Sequence, residues 1–90
     1  MKYFFVTVRA RRQEGKEFII WNDVINDTPM EYLKYLIKSS KAIPWDSVEG
    51  FHKLDTFSII FAMQINENEF KSFIEDSTEE AIEFNDKNKS

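Results

Sequence analysis

Residues 3–12 read Tyr-Phe-Phe-Val-Thr-Val-Arg-Ala-Arg-Arg, and after a short turn residues 17–25 read Glu-Phe-Ile-Ile-Trp-Asn-Asp-Val-Ile. Both stretches are rich in β-branched and aromatic residues, which favour strands. Gly15 lies between them and can adopt the positive φ that a tight turn requires. The two stretches therefore predict a β-hairpin, and symmetric pairing about the turn gives partners whose residue numbers add to 29.

This register separates the hairpin side chains onto two faces. One face carries Val8, Ala10 and Trp21, which is typical of a core. The other face places Arg9 and Arg11 among aromatic and aliphatic side chains, a mixture that suits contact with another molecule. The candidate docking residues of the hairpin are Tyr3, Phe5, Arg9, Arg11 and Phe18.

A helix start follows the hairpin. Thr28 suits the N-cap, Pro29 the first helical position, and Glu31 the third, where its side chain can complete a capping box. We expect the helix to run to about Ser40. Its predicted buried stripe consists of Met30, Leu33, Leu36 and Ile37.

Residues 41–55 form a long connection with turn signals at Pro44 and Gly50. Long connections in compact domains are often functional, although a short helical turn near residues 45–49 would remove that interpretation. Trp45 in this connection is a sixth candidate docking residue. His52 is the chain's single histidine, and a loop histidine without a catalytic role is the favoured interpretation.

Residues 56–65 alternate between apolar and mixed positions, which predicts a third strand, and we expect this strand to be central in the sheet. One of its faces should carry Phe57, Ile59, Phe61, Met63 and Ile65. Asn66 and Glu69 then form a second cap-like pair that opens a helix. The apolar stripe of this last helical segment is Phe70, Phe73 and Ile74, and it can continue past Ser77 into Ala81, Ile82 and Phe84.

The predicted order is β-β-α-β-α, which defines an α+β domain. We expect a small antiparallel sheet, made of the hairpin and a third strand, with two or three helices on one face. The predicted domain covers residues 1–84, and the polar residues 85–90 are expected to form a flexible tail.

Composition excludes several kinds of site. The chain has no cysteine, so it has no disulfide, catalytic thiol or sulfur-ligated metal. Two glycines cannot build a glycine-rich phosphate loop, and one histidine cannot supply a two-histidine zinc site. We therefore predict neither a catalytic residue nor a metal or cofactor, and expect a cytoplasmic protein because no signal or membrane-spanning segment is apparent.

Charge is unevenly distributed along the chain. Residues 1–54 carry nine Lys/Arg and seven Asp/Glu, whereas residues 55–90 carry three and nine. Ordinary solubility is one explanation of the acidic second half, and a partner with a basic surface is the other. The candidate acidic patch consists of Glu75, Asp76, Glu79, Glu80 and Glu83.

These features favour a small non-enzymatic protein that binds a surface of a larger protein and blocks it. Short, acidic, cysteine-free chains of this type occur among phage and mobile-element proteins that inhibit host defence nucleases, including CRISPR nucleases. The alternative is a protein that binds single-stranded RNA through the arginine and aromatic face of the hairpin. A second copy of the chain is a further candidate to cover that face.

Overall fold

The structure is a computed structural model that describes residues 1–12, 17–39 and 54–88. The predicted turn at residues 13–16 and most of the predicted connection at 41–55, with Trp45 and His52, lie outside the described residues. The elements are β1 (Tyr3–Arg12), β2 (Phe18–Ile25), α1 (Pro29–Ser39), β3 (Leu54–Ile65), α2 (Glu67–Phe73), a single 3-10 turn (Ile74–Asp76) and α3 (Glu79–Lys87). The α+β class and the element order are confirmed, with three helices in the described ranges.

The hairpin register is confirmed at every described pair of β1 and β2. The pairs run from Phe4 with Ile25 to Arg11 with Phe18, so each pair of residue numbers adds to 29. The third strand joins the hairpin as predicted, but the strand order is β2-β1-β3. The prediction of a central β3 is therefore wrong, because β1 pairs with both neighbours, and an alternating pattern alone does not distinguish a central strand from an edge strand.

Two irregularities in β3 change the faces predicted for that strand. The 12 residues of β3 pair with the 10 residues of β1, and the register shifts between Thr7 and Val8 and again between Arg9 and Arg11. Each β-bulge adds one residue to β3 and so reverses the alternation of side chains. As a result, Phe57 and Ile59 pack against the core, whereas Phe61 aligns with Thr7 on the opposite face.

The core lies on one face of the sheet, under α1 and α3. Val6, Val8 and Ala10 of β1 are fully buried, as their alternation predicts. Half-buried Phe4, Trp21, Tyr35, Phe57 and Ile59 surround the core and pack against it. The central cluster consists of Val6, Val8, Ile25, Tyr32, Leu36, Ala81 and Phe84.

Of the two hydrogen bonds in the capping box predicted for α1, one is present. The Glu31 backbone N–H donates to Thr28 Oγ1 at 3.3 Å, but the Thr28 N–H donates to Asp27 Oδ1 at 2.7 Å, so the reciprocal Glu31 contact is not made. The predicted buried stripe is wrong for Met30 and Ile37, which are 60% and 47% exposed. The most buried side chains of α1 are Tyr32 and Leu36. Tyr32 can be buried because its hydroxyl donates a hydrogen bond to the buried Asp23 carboxylate on β2.

The last two helices are separated by a second cap. Asn66 and Glu69 form the complete capping box at the start of α2, and the Thr78 side chain accepts from the Ala81 N–H at the start of α3. The α3 helix continues to Lys87, beyond the predicted domain end at residue 84, because Asn85 is buried against β2. No helix in the described ranges is long and apolar enough to cross a membrane.

Candidate interaction surface

Among the described elements, α2 alone lies over the sheet face opposite the core, and it covers one end of that face. Because side chains alternate along β1, Tyr3 and Phe5 point away from the core that Phe4 contacts. The Tyr3 ring lies 4.6 Å from the Phe70 ring of α2, measured between centroids. The α2 helix therefore covers this end of the sheet, and Tyr3 contributes to the packing of the domain.

The rest of this face is exposed and largely apolar. Phe18 and Ile20 on β2 are 56% and 61% exposed, and Phe61 and Met63 on β3 are 51% and 49% exposed. Monomeric proteins expose isolated apolar side chains routinely, but a group of large ones on one sheet face marks a contact surface. We call this surface the open face, and it consists of Arg9, Phe18, Ile20, Phe61 and Met63.

Polar contacts hold the centre of the open face in place. The Arg9 guanidinium carbon lies 4.9 Å from the centroid of the Phe18 ring, which is a cation–π distance. Next to this pair, Thr7 Oγ1 donates to Asn22 Oδ1 at 2.7 Å. The open face thus presents exposed apolar side chains around one oriented cation, the composition that favours protein contacts.

The structure brings together some of the docking residues predicted from the sequence. Arg9 and Phe18 are exposed on the open face, and half-buried Arg11 is aligned with Phe18 in the register. Phe5 is half-buried with its ring centroid 6.4 Å from that of Phe61. Trp45 lies outside the described residues, and a binding role for the whole set stays a prediction.

Two residues of the open face could not be placed by sequence reasoning. Phe61 and Met63 were expected on the same face as Phe57, and only the bulge at residue 60 separates them. Nothing in the alternating apolar pattern marks that extra residue. Ile20, in contrast, was identifiable from the hairpin register, which aligns it with Arg9.

The Asp23 carboxylate, buried on the core side of the sheet, is fully hydrogen-bonded. Asp23 is 1% exposed and accepts hydrogen bonds from Trp21 Nε1 at 2.7 Å, the Tyr32 hydroxyl at 2.5 Å, the Thr78 N–H at 2.8 Å and Thr78 Oγ1 at 3.1 Å. Burial raises the pKa of Asp23, and these hydrogen bonds oppose that rise. Since the donors come from β2, α1 and α3, Asp23 fixes both helices to the sheet.

Tyr32, which donates to Asp23, is unsuited to proton transfer at neutral pH. Burial and then the charge of Asp23 raise the pKa of Tyr32 well above its ordinary value. A phenol with a raised pKa stays protonated and donates its hydrogen to Asp23. We therefore interpret the Asp23–Tyr32 pair as a structural contact.

A cleft of about 440 Å³ lies between the edge of β2 and the segment that joins α2 to α3. Phe5 and Phe73 supply its apolar wall, while Asn22 and Asp76 lie on its polar side. Because Asn22 contacts Thr7 on the sheet, the cleft adjoins the open face. This position suits it to receive a side chain from a molecule docked on that face.

The predicted acidic patch is divided by the fold. Glu75, Asp76 and Glu79 are exposed, whereas Glu80 is half-buried and its pKa is raised by burial and then by Asp23 and neighbouring glutamates. Glu83 accepts a hydrogen bond from the Tyr35 hydroxyl at 3.2 Å. In the part of the chain that the structure describes, no three His, Asp or Glu side chains are grouped to hold a metal ion.

Comparison with protein-family models, with curated proteins and with solved structures found no match for this chain. The open face, the adjoining cleft and the charges around them are accordingly the features that bear on function.

Proposed function

We propose that this chain is a small protein-binding module that uses the open face to occupy a surface of a larger protein. The observation that carries the proposal is the exposure of four large apolar side chains on the part of this sheet face that α2 leaves uncovered. Phe18, Ile20, Phe61 and Met63 are each about half or more accessible. Burying such side chains against a partner yields roughly 25 cal/mol per Å² of apolar area removed from water. The adjoining cleft offers a recess for an anchoring side chain.

The balance of apolar and charged groups favours a protein partner over RNA. Proteins that bind single-stranded RNA combine stacking aromatic side chains with several cations that contact phosphates. The open face has Phe18 and Phe61, but Arg9 is its one exposed cation among the described residues, and that guanidinium already lies over Phe18. Ile20 and Met63 add aliphatic contacts, which protein partners use and which nucleic acids do not need.

We infer that the partner is a larger nucleic-acid-binding enzyme that the module inhibits, as phage and mobile-element proteins do with host defence nucleases. In support, residues 55–90 carry nine acidic and three basic side chains, and the exposed carboxylates of Glu75, Asp76 and Glu79 suit a basic groove. In such a complex these carboxylates would occupy positions that phosphates take when nucleic acid is bound.

The test is an affinity capture from host lysate, with and without nuclease, followed by mass spectrometry and by titration of the identified protein. The first variant is Ile20→Glu, which places a charge in the open face. Its matched control is Met30→Glu on α1, because Ile20 and Met30 are 61% and 60% exposed on different faces. We expect Ile20→Glu to weaken binding at least tenfold, or about 1.4 kcal/mol, and Met30→Glu to leave affinity unchanged.

Three outcomes separate the alternatives. Binding that resists nuclease, changes little with salt and depends on Ile20 supports a protein partner. Captured material that vanishes after nuclease, together with binding that falls steeply with salt and is lost in Arg9→Ala, transfers the proposal to RNA. A protein partner bound equally well by Ile20→Glu and Met30→Glu would show that the open face is not the docking surface. The triple reversal of Glu75, Asp76 and Glu79 to Lys tests the acidic contact separately.

A further inference from the structure

At the outer edge of β3, some backbone N–H and carbonyl groups point away from β1. The hydrogen bonds at the opposite edge of the sheet show which residues carry them. The Val24 N–H donates to Ser77 Oγ at 3.1 Å and the Val24 carbonyl accepts from Asn85 Nδ2 at 3.1 Å, so both groups of Val24 point away from β1. Val24 and Phe5 are therefore a pair without mutual backbone hydrogen bonds.

Because the backbone groups of a strand point alternately to its two sides, the orientation at Val24 also determines the orientation at β3. Since the backbone groups of Phe5 do not point to β2, they point to β3, where Phe5 is paired with Met63. Met63 consequently directs its N–H and carbonyl inward to β1. The neighbouring residues Ala62 and Gln64 direct theirs outward, away from the sheet.

The described part of the chain leaves the outward groups of Ala62 and Gln64 uncapped. Among the described residues, no side chain caps the backbone of Ala62 or Gln64, and every residue from Ile60 to Gln64 is exposed. Natural proteins protect edge strands with charges, proline, bulges or a covering element. Residues 56–65 contain no charged residue, no proline and no glycine, and the bulge at residue 60 lies before the segment 61–64.

We propose that a second copy of this chain pairs with this edge, so that two β3 strands join antiparallel into a six-stranded sheet of order β2-β1-β3-β3-β1-β2. A two-fold axis beside Met63 sets residues 61–65 of one copy against the same five residues of the other, so a charge in this segment would lie close to its own copy in the partner. The absence of charge between residues 56 and 65 removes that repulsion. With the axis beside Met63, Ala62 of each copy pairs with Gln64 of its partner and satisfies the outward groups of both.

The self-association goes beyond the proposed function and does not depend on it. The joined sheet would place the Phe61 and Met63 side chains of both copies side by side on a single continuous face. Ile20 lies on β2, two strands away from the new junction, so its contacts with a partner protein are separate from the dimer contact. The two proposals can therefore fail independently.

Sedimentation equilibrium and light scattering over a concentration series give the first test. We expect the wild-type chain to approach twice its 10.8 kDa mass as concentration rises. The variant Ala62→Pro removes an outward N–H without removing a hydrogen bond to β1, which is the setting in which edge strands tolerate proline. It should be monomeric at concentrations where the wild type is dimeric, with an unchanged circular dichroism spectrum.

A second variant keeps the test decisive if Ala62→Pro does not fold. Met63→Lys should also give a monomer, because the two Met63 positions face each other beside the axis and two lysines there would repel. Ile20→Glu is the matched control and should remain dimeric. A dimer that dissociates in Ile20→Glu but persists in Met63→Lys would overturn the proposed edge and place self-association on the open face instead.

The register can be read with single cysteines, because the native chain has none. Opposed residues without mutual backbone hydrogen bonds have Cα atoms about 4.5 Å apart, within the range that a disulfide requires. Met63→Cys should therefore form an interchain disulfide on mild oxidation, while Lys71→Cys on α2 should not. A wild-type chain that stays monomeric at its highest soluble concentration, with no Met63→Cys dimer, would refute the proposal whatever the result of the capture experiment.

Discussion

The two edges of this sheet are treated in opposite ways. At the β2 edge, Ser77 and Asn85 from the C-terminal part of the chain bind the outward groups of Val24, and Asn85 Oδ1 also accepts from the Asn26 N–H at 2.9 Å. At the β3 edge, the described residues supply no such caps for Ala62 or Gln64. Within the described ranges, polar side chains therefore cap the backbone of the β2 edge and leave the β3 edge uncapped.

The closed edge depends first on Asp23, which fixes the start of α3 next to β2. Replacing Asp23 with Ala removes the acceptor of four hydrogen bonds, among them those from the buried Tyr32 hydroxyl and the half-buried Trp21 indole. We expect the free energy of unfolding to fall by about 3 to 4 kcal/mol, measured by urea denaturation. Asp76→Ala, an exposed carboxylate of the same cleft, is the control and should change it by less than about 0.5 kcal/mol.

A direct comparison of the two edges comes from one amide on each. Asn85→Ala leaves the Asn26 N–H and the Val24 carbonyl unpaired in a buried site, whereas Gln64→Ala removes an exposed side chain from the β3 edge. We expect losses of about 2 to 3 kcal/mol for Asn85→Ala and less than about 0.5 kcal/mol for Gln64→Ala. Both are measured at a protein concentration where the chain is monomeric, so that self-association does not contribute. A loss of stability for Asn85→Ala as small as the one expected for Gln64→Ala would mean that the caps do not stabilise the β2 edge.

The sequence predicted those parts of the fold that depend on short-range chemistry. The turn between β1 and β2 determines the hairpin register, and the Asn66 capping box is visible as a local pair of residues. The caps of the β2 edge are different, because Asn85 lies in a polar run that resembles a tail. Its burial depends on backbone groups of β2 that approach only when the chain has folded.

The same limit applies to the candidate site. Arg9 and Phe18 could be placed on one face from the hairpin alone, and the structure shows them in contact. Phe61 could not, because the bulge adds an apolar residue to an apolar strand and leaves the pattern unchanged. An alternating sequence therefore predicts that a strand exists more reliably than which side chains share a face.

The smallest expected effects come from one serine on each outer strand. Ser77 Oγ accepts from the Val24 N–H at 3.1 Å, so Ser77→Ala should lower the free energy of unfolding by about 1 kcal/mol. Ser58 Oγ on β3 is buried and has no hydrogen-bond partner within the described ranges, so Ser58→Ala should raise the free energy of unfolding by up to about 1 kcal/mol. Urea denaturation of both variants measures the difference in sign. A lower free energy of unfolding in both variants would show that Ser58 Oγ has a hydrogen-bond partner in solution. The two edges would then differ only in the pairing of their backbone groups.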